Sequence, residues 1–127
     1  MAMAARQDGD AFVLAVSGDL DLDNIAPLAT ALAEAGETVR GPVVVDLSGV
    51  SFADSTTVNV LLRAHGALGP RLRLAELSTF VQRLFSVIGL EHALPVYGSV
   101  EEALTAGSPP GPAGSGPLAA GASDGGE

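Results

Sequence analysis

Apolar positions along this chain change their period several times, and each change marks an element. Phe12, Leu14 and Val16 alternate with Val13 and Ala15, which predicts a strand over Ala11–Ser17 that is apolar on both faces. A short opening strand, about Met3–Arg6, precedes it across the hairpin signal Asp8-Gly9, and Gly18-Asp19-Leu20-Asp21 ends it. Ile25, Leu28, Leu32 and Ala35 then recur at helical spacing, with Asn24 as the expected N-cap, Pro27 in the tolerated first turn and Gly36 at the end. The β-branched run Val43–Leu47 predicts a strand buried on both sides, and Ser48–Ser55 reads as a loop. A helix over about Thr56–Leu68 carries Val58, Leu61, Leu62 and His65 on one stripe until Gly69-Pro70 stops it. Beyond it lie a strand over Arg71–Ala75 and a helix capped by Ser78. That helix should bury Val81, Leu84, Phe85 and Ile88 and end at Gly89. Leu94–Tyr97 predicts a last short strand, and Ser99-Val100-Glu101-Glu102 is a capping box opening a helix to about Ala106.

Strands separated by single helices imply an α/β domain with a mostly parallel sheet, made mixed by the opening hairpin. The pattern stops near Gly107. Residues 107–127 are dominated by Gly, Pro, Ala and Ser, with one large apolar side chain, Leu118, too little to offset the entropy of ordering. The expected organisation is therefore one domain over 1–106 and a disordered tail over 107–127. Within the tail, Gly114-x-Gly116-x-x-Ala119 mimics a dinucleotide fingerprint, but it follows no strand and contains Pro117, so it is set aside.

Charge narrows the function classes. The 127 residues carry 15 carboxylates against 6 basic groups, a net charge of -9, and every basic group is Arg. Without Lys there is no P-loop, and without Cys no disulfide framework and no thiolate zinc site. An acidic chain with a single Tyr and no Trp is poorly suited to nucleic acid, which asks for positive charge and stacking platforms. No stretch approaches the roughly 18–20 apolar residues of a membrane span, and Met1–Asp10 has no signal-peptide apolar region. The expectation is a cytoplasmic protein, with a monomer as the default.

Catalysis by the chain itself fails on geometry. Ser55 and His65 are ten positions apart, about 15 Å along a helix at 1.5 Å per residue, so no nucleophile–base pair forms. His65 reads as a core-edge helix residue and His92 as a surface loop residue. Asp19, Asp21 and Asp23 resemble the start of a calcium loop, but Asn24 and Thr30 stand where that loop needs Gly and Glu. No metal and no cofactor is expected. The informative segment is Val43–Leu62: a buried strand, a loop, and a helix beginning at Asp54-Ser55-Thr56-Thr57. A helix start exposes unpaired N–H groups and partial positive charge, a favourable place for a phosphoryl group. Taken alone, these residues read first as ordinary helix caps, Asp54 or Ser55 serving as the N-cap.

The stretch Asp46-Leu47-Ser48-Gly49-Val50-Ser51-Phe52-Ala53-Asp54-Ser55-Thr56 resembles the core motif of STAS domains, the fold of anti-sigma-factor antagonists that is also found in sulfate transporters. Ser17–Asp21 resembles that family's second-strand ending, Val81–Leu90 its third-helix pattern, and Ser99–Leu104 its last helix, so the likeness spans about Ala11–Ala106. The resemblance implies a STAS-like fold, a mixed and mostly parallel sheet with about four helices packed mainly on one face. It also implies a protein-binding switch without catalysis of its own. Family antagonists bind an anti-sigma factor, often a serine kinase, and so release a sigma factor. The kinase phosphorylates the Ser after the motif's Asp, here Ser55, and a phosphatase reverses it. Asp54 matches the neighbouring acid that orients the hydroxyl and helps dock the kinase, and Asp21 matches an acid near the same surface. Phosphate beside these groups would repel carboxylates on the partner.

The sequence departs from that pattern at two places. Thr57 stands where the family usually has Gly, adding a branched side chain on the turn, and Asn59 stands where it often has a small residue. Thr56 and Thr57 are fallback phosphoacceptors, and Asp21, Asp54, Ser55, Thr56, Thr57 and Asn59 form the expected partner surface. Two alternatives stay open: a STAS subunit serving as scaffold or lipid-transporter partner, which Thr57 favours, and a small-molecule or nucleotide sensor.

Overall fold

A computed structural model describes residues 1–90 and 93–106. The expectations for His92 and for 107–127 lie outside the described residues. In chain order the elements are β1 (Ala2–Asp8), β2 (Ala11–Leu20), α1 (Ala26–Thr38), β3 (Val43–Ala53), α2 (Ser55–Leu68), β4 (Leu72–Ala75), α3 (Thr79–Ile88), β5 (Val96–Tyr97) and α4 (Val100–Thr105), with a single 3₁₀ turn at Gly69–Arg71. One sheet runs in the order β1-β2-β3-β4-β5. The opening pair is antiparallel and every later pair parallel, as a hairpin followed by helical crossovers requires.

The alternation along β3 assigns the two faces. Val43, Val45 and Leu47 meet Leu28, Leu32 and Ala35 of α1, Leu61 and Leu68 of α2, and Val81 and Phe85 of α3. Val44 points the other way and joins Val13, Ala75 and Ala103 of α4. Three helices therefore cover one face and one short helix the other, which matches the arrangement the sequence implies. Arg73 is buried beneath α4, donates to the Ala103 carbonyl and lies 5.9 Å from the Tyr97 ring centre. Arg71 closes the end of α1, donating to Val39 O at 2.7 Å and to Gly36 O at 3.3 Å.

Several local expectations are corrected. Ser48–Ala53 is strand, not loop, because β2 also continues to Leu20 and supplies pairing partners: Ser17 with Gly49, Gly18 with Val50, Asp19 with Phe52, Leu20 with Ala53. Two register shifts absorb the irregular spacing, between Ala15 and Ser17 and between Gly18 and Asp19. Gly49 permits the approach, since a Cβ there would lie 2.7 Å from Ser17 Cβ. Asn24 does not cap α1. Ile25 occupies that position without a side-chain bond, while Asn24 accepts from Asp21 N and donates to Asp19 O. The helix runs past Gly36 to Thr38.

In α3 only Val81 and Phe85 are buried; Ile88 overruns the sheet and is 46 % exposed, and Leu84 is half-buried. Gly89 takes φ 76° and closes α3, with its N–H and that of Leu90 on Ser86 and Phe85 carbonyls. Leu62 faces solvent while Val58 and Leu61 are buried, and His65 is half-buried at the edge. β5 is shorter than expected, because only Val96 and Tyr97 pair with β4. Ser99 caps α4 by accepting from Glu102 N, and the Glu102 carboxylate takes Gly98 N in place of the box's usual return bond.

Gly49→Ala should cost about 1–3 kcal/mol of stability in urea unfolding, since a backbone-level clash has to be relieved. Adding Ser17→Gly in the same chain should recover a large part of that loss, because the clashing atom is the Ser17 Cβ.

Candidate functional site at the start of α2

β2 and β3 end level with each other. Leu20 pairs with Ala53, and Asp54 N donates to Leu20 O at 3.3 Å. The loop after Leu20 and the helix after Asp54 therefore leave the sheet side by side. This brings Asp21 to the same end as Asp54 and Ser55, which follow it by more than thirty positions in the sequence.

Asp54 has extended backbone angles and caps α2, its Oδ1 accepting from Thr56 N at 3.0 Å and Thr57 N at 3.3 Å. The first helical residue is Ser55. It is exposed, and among the described residues no side-chain hydrogen bond engages its hydroxyl. Asn59 lies one turn further along α2, also exposed, and Thr56 is half-buried. Asp21 is half-buried and braces its own loop, Oδ1 accepting from Asp23 N at 3.0 Å and Asn24 N at 3.2 Å. Asp19 accepts from Ser51 Oγ at 2.9 Å. Both Asp54 and Asp21 are thus held by backbone donors, which fixes the carboxylates in place.

Thr57 requires a correction. It is 3 % exposed, and its Oγ1 is buried without a hydrogen-bond partner. A side chain at this point of the turn faces the core, so its hydroxyl is out of reach of a phosphoryl donor and its methyl adds nothing to the outer surface. The steric objection drawn from the family's Gly at this position therefore does not apply to a partner approaching α2.

Sequence reasoning missed the apolar part of this end. Phe52 is 44 % exposed and its ring stands 5.4 Å from that of Phe80 on α3. Leu22, between two aspartates, is 72 % exposed. No periodicity marks Phe52 in the sequence, because the register shifts break the β3 alternation beyond Leu47 and leave Ser51 and Phe52 both exposed between the buried Val50 and Ala53. Beside Phe80 an open depression is lined by Ser48, Ser51, Glu76, Ser78 and Thr79. Glu76 at its rim holds φ 53°, stabilised by its N–H on Tyr97 O and its carboxylate on Val100 N. Among the described residues no three His, Cys, Asp or Glu side chains are grouped to hold a metal ion, and no helix is long and apolar enough to cross a membrane.

A family profile described as "Mlab, STAS domain" matches residues 3–98. The chain belongs to the STAS-domain family. Among solved structures, an anti-sigma factor antagonist from Mycobacterium paratuberculosis is 26 % identical, with a TM-score of 0.74 over 83 % of this chain and 92 % of that one. The Bacillus cell fate determinant SpoIIAA in its phosphorylated form is 18 % identical, with a TM-score of 0.61 over 79 % and 95 %. A chain of the Acinetobacter MlaFEDB complex is 18 % identical, with a TM-score of 0.58 over 74 % and 99 %. No curated protein matches the sequence. The fold of this STAS domain is thus shared with antagonists and with a subunit of a larger assembly.

Two substitutions probe the helix start. Thr57→Val keeps the volume and removes a buried, unpaired hydroxyl, so stability should rise by about 1 kcal/mol in thermal or urea unfolding. Asp54→Ala should lose about 1 kcal/mol, the ordinary value of an N-cap carboxylate, while Asp54→Asn should retain most of it.

Proposed function

We propose that this STAS domain is an anti-sigma-factor antagonist whose docking surface is switched by phosphorylation of Ser55. The observation that carries this reading is the exposed, unengaged Ser55 hydroxyl at the first turn of α2, beside an Asp54 carboxylate fixed by backbone donors. The domain supplies the acceptor. An anti-sigma factor with serine-kinase activity supplies ATP and the base. Ser55 Oγ attacks the γ-phosphorus, the bond to ADP breaks, and the hydroxyl proton passes to the kinase.

Phosphate adds about -1.5 to -2 charges at pH 7. At a bare helix start it would settle onto the N–H groups of the first turn. Here Asp54 Oδ1 already occupies those of Thr56 and Thr57, so the phosphate projects outward onto the face that meets the partner. Asp54 adjoins it, Asp21 follows the strand end that pairs beside it, and neither is in an ion pair among the described residues. Modification therefore intensifies an already acidic surface and repels carboxylates on the partner. Asp21, Thr56 and Asn59 extend the contact surface, and a phosphatase restores docking. The setting is cytoplasmic transcription regulation.

A second reading has a specific observation behind it. The matching family profile carries an Mla description, and one similar structure is a chain of the MlaFEDB complex. In that reading the same end of the domain docks a transporter ATPase as a scaffold, with no phosphoryl transfer. The argument from Thr57 for this reading falls away, since that residue is buried.

Incubated with its cognate anti-sigma kinase and ATP, the wild-type chain should gain one phosphate by intact-mass measurement, and Ser55→Ala should gain none. Full modification of Ser55→Ala would sink the assignment. In affinity capture from native extract, recovery of a transporter ATPase in place of a histidine-kinase-like ATPase decides for the second reading.

A further inference from the structure

β4 and β5 are neighbours in the sheet, yet the chain leaves them toward opposite faces. After β4 it turns into α3, on the face shared with α1 and α2, and after β5 it turns into α4 on the other face. Such a divergence opens a crevice beyond the carboxyl ends of the strands, the usual place for a ligand in an open α/β sheet. Here the crevice is the open depression of about 600 Å³ beside Phe80, which Ser48, Ser51, Glu76, Thr79 and Gly98 also line.

Its lining is rich in acceptors. Glu76 brings a full negative charge. Its Oε2 accepts from Val100 N at 3.3 Å, and among the described residues no hydrogen bond or ion pair engages Oε1. The Ser51 hydroxyl commits its proton to Asp19 at 2.9 Å, so its lone pairs remain free and a second carboxylate stands behind them. Among the described residues no basic side chain lines the depression. Phe80 supplies an aromatic wall, and its ring lies 5.4 Å from that of Phe52. The start of α3 carries a partial positive charge, but Ser78 Oγ already accepts from Val81 N there, and the whole charge on Glu76 outweighs it. Backbone strain marks the same residue: Glu76, at φ 53°, is the one non-Gly position with positive φ among the described residues.

We propose that this crevice is the anchor pocket for an arginine side chain of the partner that docks on the Ser55 end. A guanidinium meets every part of it, with charge for Glu76, N–H donors for the Glu76 and Ser51 oxygens, and a flat face for Phe80. An ammonium lacks the flat face, and a neutral side chain lacks the charge. Phe52 joins the pocket to the switch, because it precedes Asp54 by two residues on β3 and its ring adjoins Phe80. The inference rests on partner docking at this end, by a kinase or a transporter ATPase alike, and not on phosphoryl transfer.

The test is an NMR titration of the full, unphosphorylated chain with N-acetyl-argininamide, N-acetyl-lysinamide and N-acetyl-norleucinamide at matched ionic strength. The arginine probe should shift the Ser51, Glu76 and Phe80 amides with a dissociation constant on the order of 10 mM. The lysine probe should bind about threefold or more weakly, and norleucinamide should leave these amides in place. Glu76→Gln keeps an acceptor for Val100 N and removes the charge, so the arginine probe should bind about fivefold or more weakly. Glu34→Gln makes the same charge change on an exposed position of α1 and should bind it as wild type does. Absence of shifts at these amides overturns the proposal, as does an equal response to norleucinamide or indifference to Glu76→Gln. Should Glu76→Gln misfold by circular dichroism, salt decides on the wild type: affinity unchanged between about 50 mM and about 300 mM ionic strength also overturns it. No kinase enters this experiment, whereas the Ser55 assignment is read by mass after kinase treatment, so either can fail without the other.

Discussion

The hydrogen bond from Asp54 N to Leu20 O, with the pairing of Leu20 and Ala53 behind it, fixes the geometry of the whole functional end. It forces two parallel strands to stop at one level. The chain must then turn twice in the same place, once into the loop braced by Asp21 and once into α2 under the Asp54 cap. Gly49 is the condition for this arrangement, because the closing approach of β3 to Ser17 leaves no room for a side chain. A display of one hydroxyl on a rigid helix start thus rests on backbone pairing several residues upstream.

Charge is distributed with the same economy. Of the six arginines, Arg71 and Arg73 point their guanidinium groups at backbone carbonyls, and Arg6 pairs with Asp8. The acidic end of the sheet keeps its carboxylates outside ion pairs among the described residues. That surface attracts a basic face over a distance set by salt, and the exposed apolar groups at this end, Phe52 against Phe80 and Leu22 on its loop, give such a face something to bury.

Much of this was legible in the sequence, for identifiable reasons. Strong periodicity gave α2 and the buried half of β3, and ordinary cap chemistry gave Ser78, Gly89 and Ser99. Failures came where local chemistry points two ways. Ser48–Ala53 has turn-like composition, yet the partner strand beside it imposes extension, a tertiary effect with no local trace. Asn24 looks like a cap because its amide bonds backbone readily, and here it bonds the loop before the helix. The motif placed Ser55 and Asp54 correctly at the helix start. The inward phase of Thr57 was beyond it, since a residue two positions into a helix faces the core or solvent according to how the helix docks.

Arg71 links parts of the chain that are distant in sequence. Its guanidinium holds Gly36 O from 35 positions away, and the residue after it begins β4. The Gly36 carbonyl in the last turn of α1 therefore lacks this donor until the fourth strand has joined the sheet, so helix completion waits on a non-local event. Such an arrangement ties the maturation of an early helix to a late strand and favours all-or-none assembly over stepwise accretion from the N-terminus.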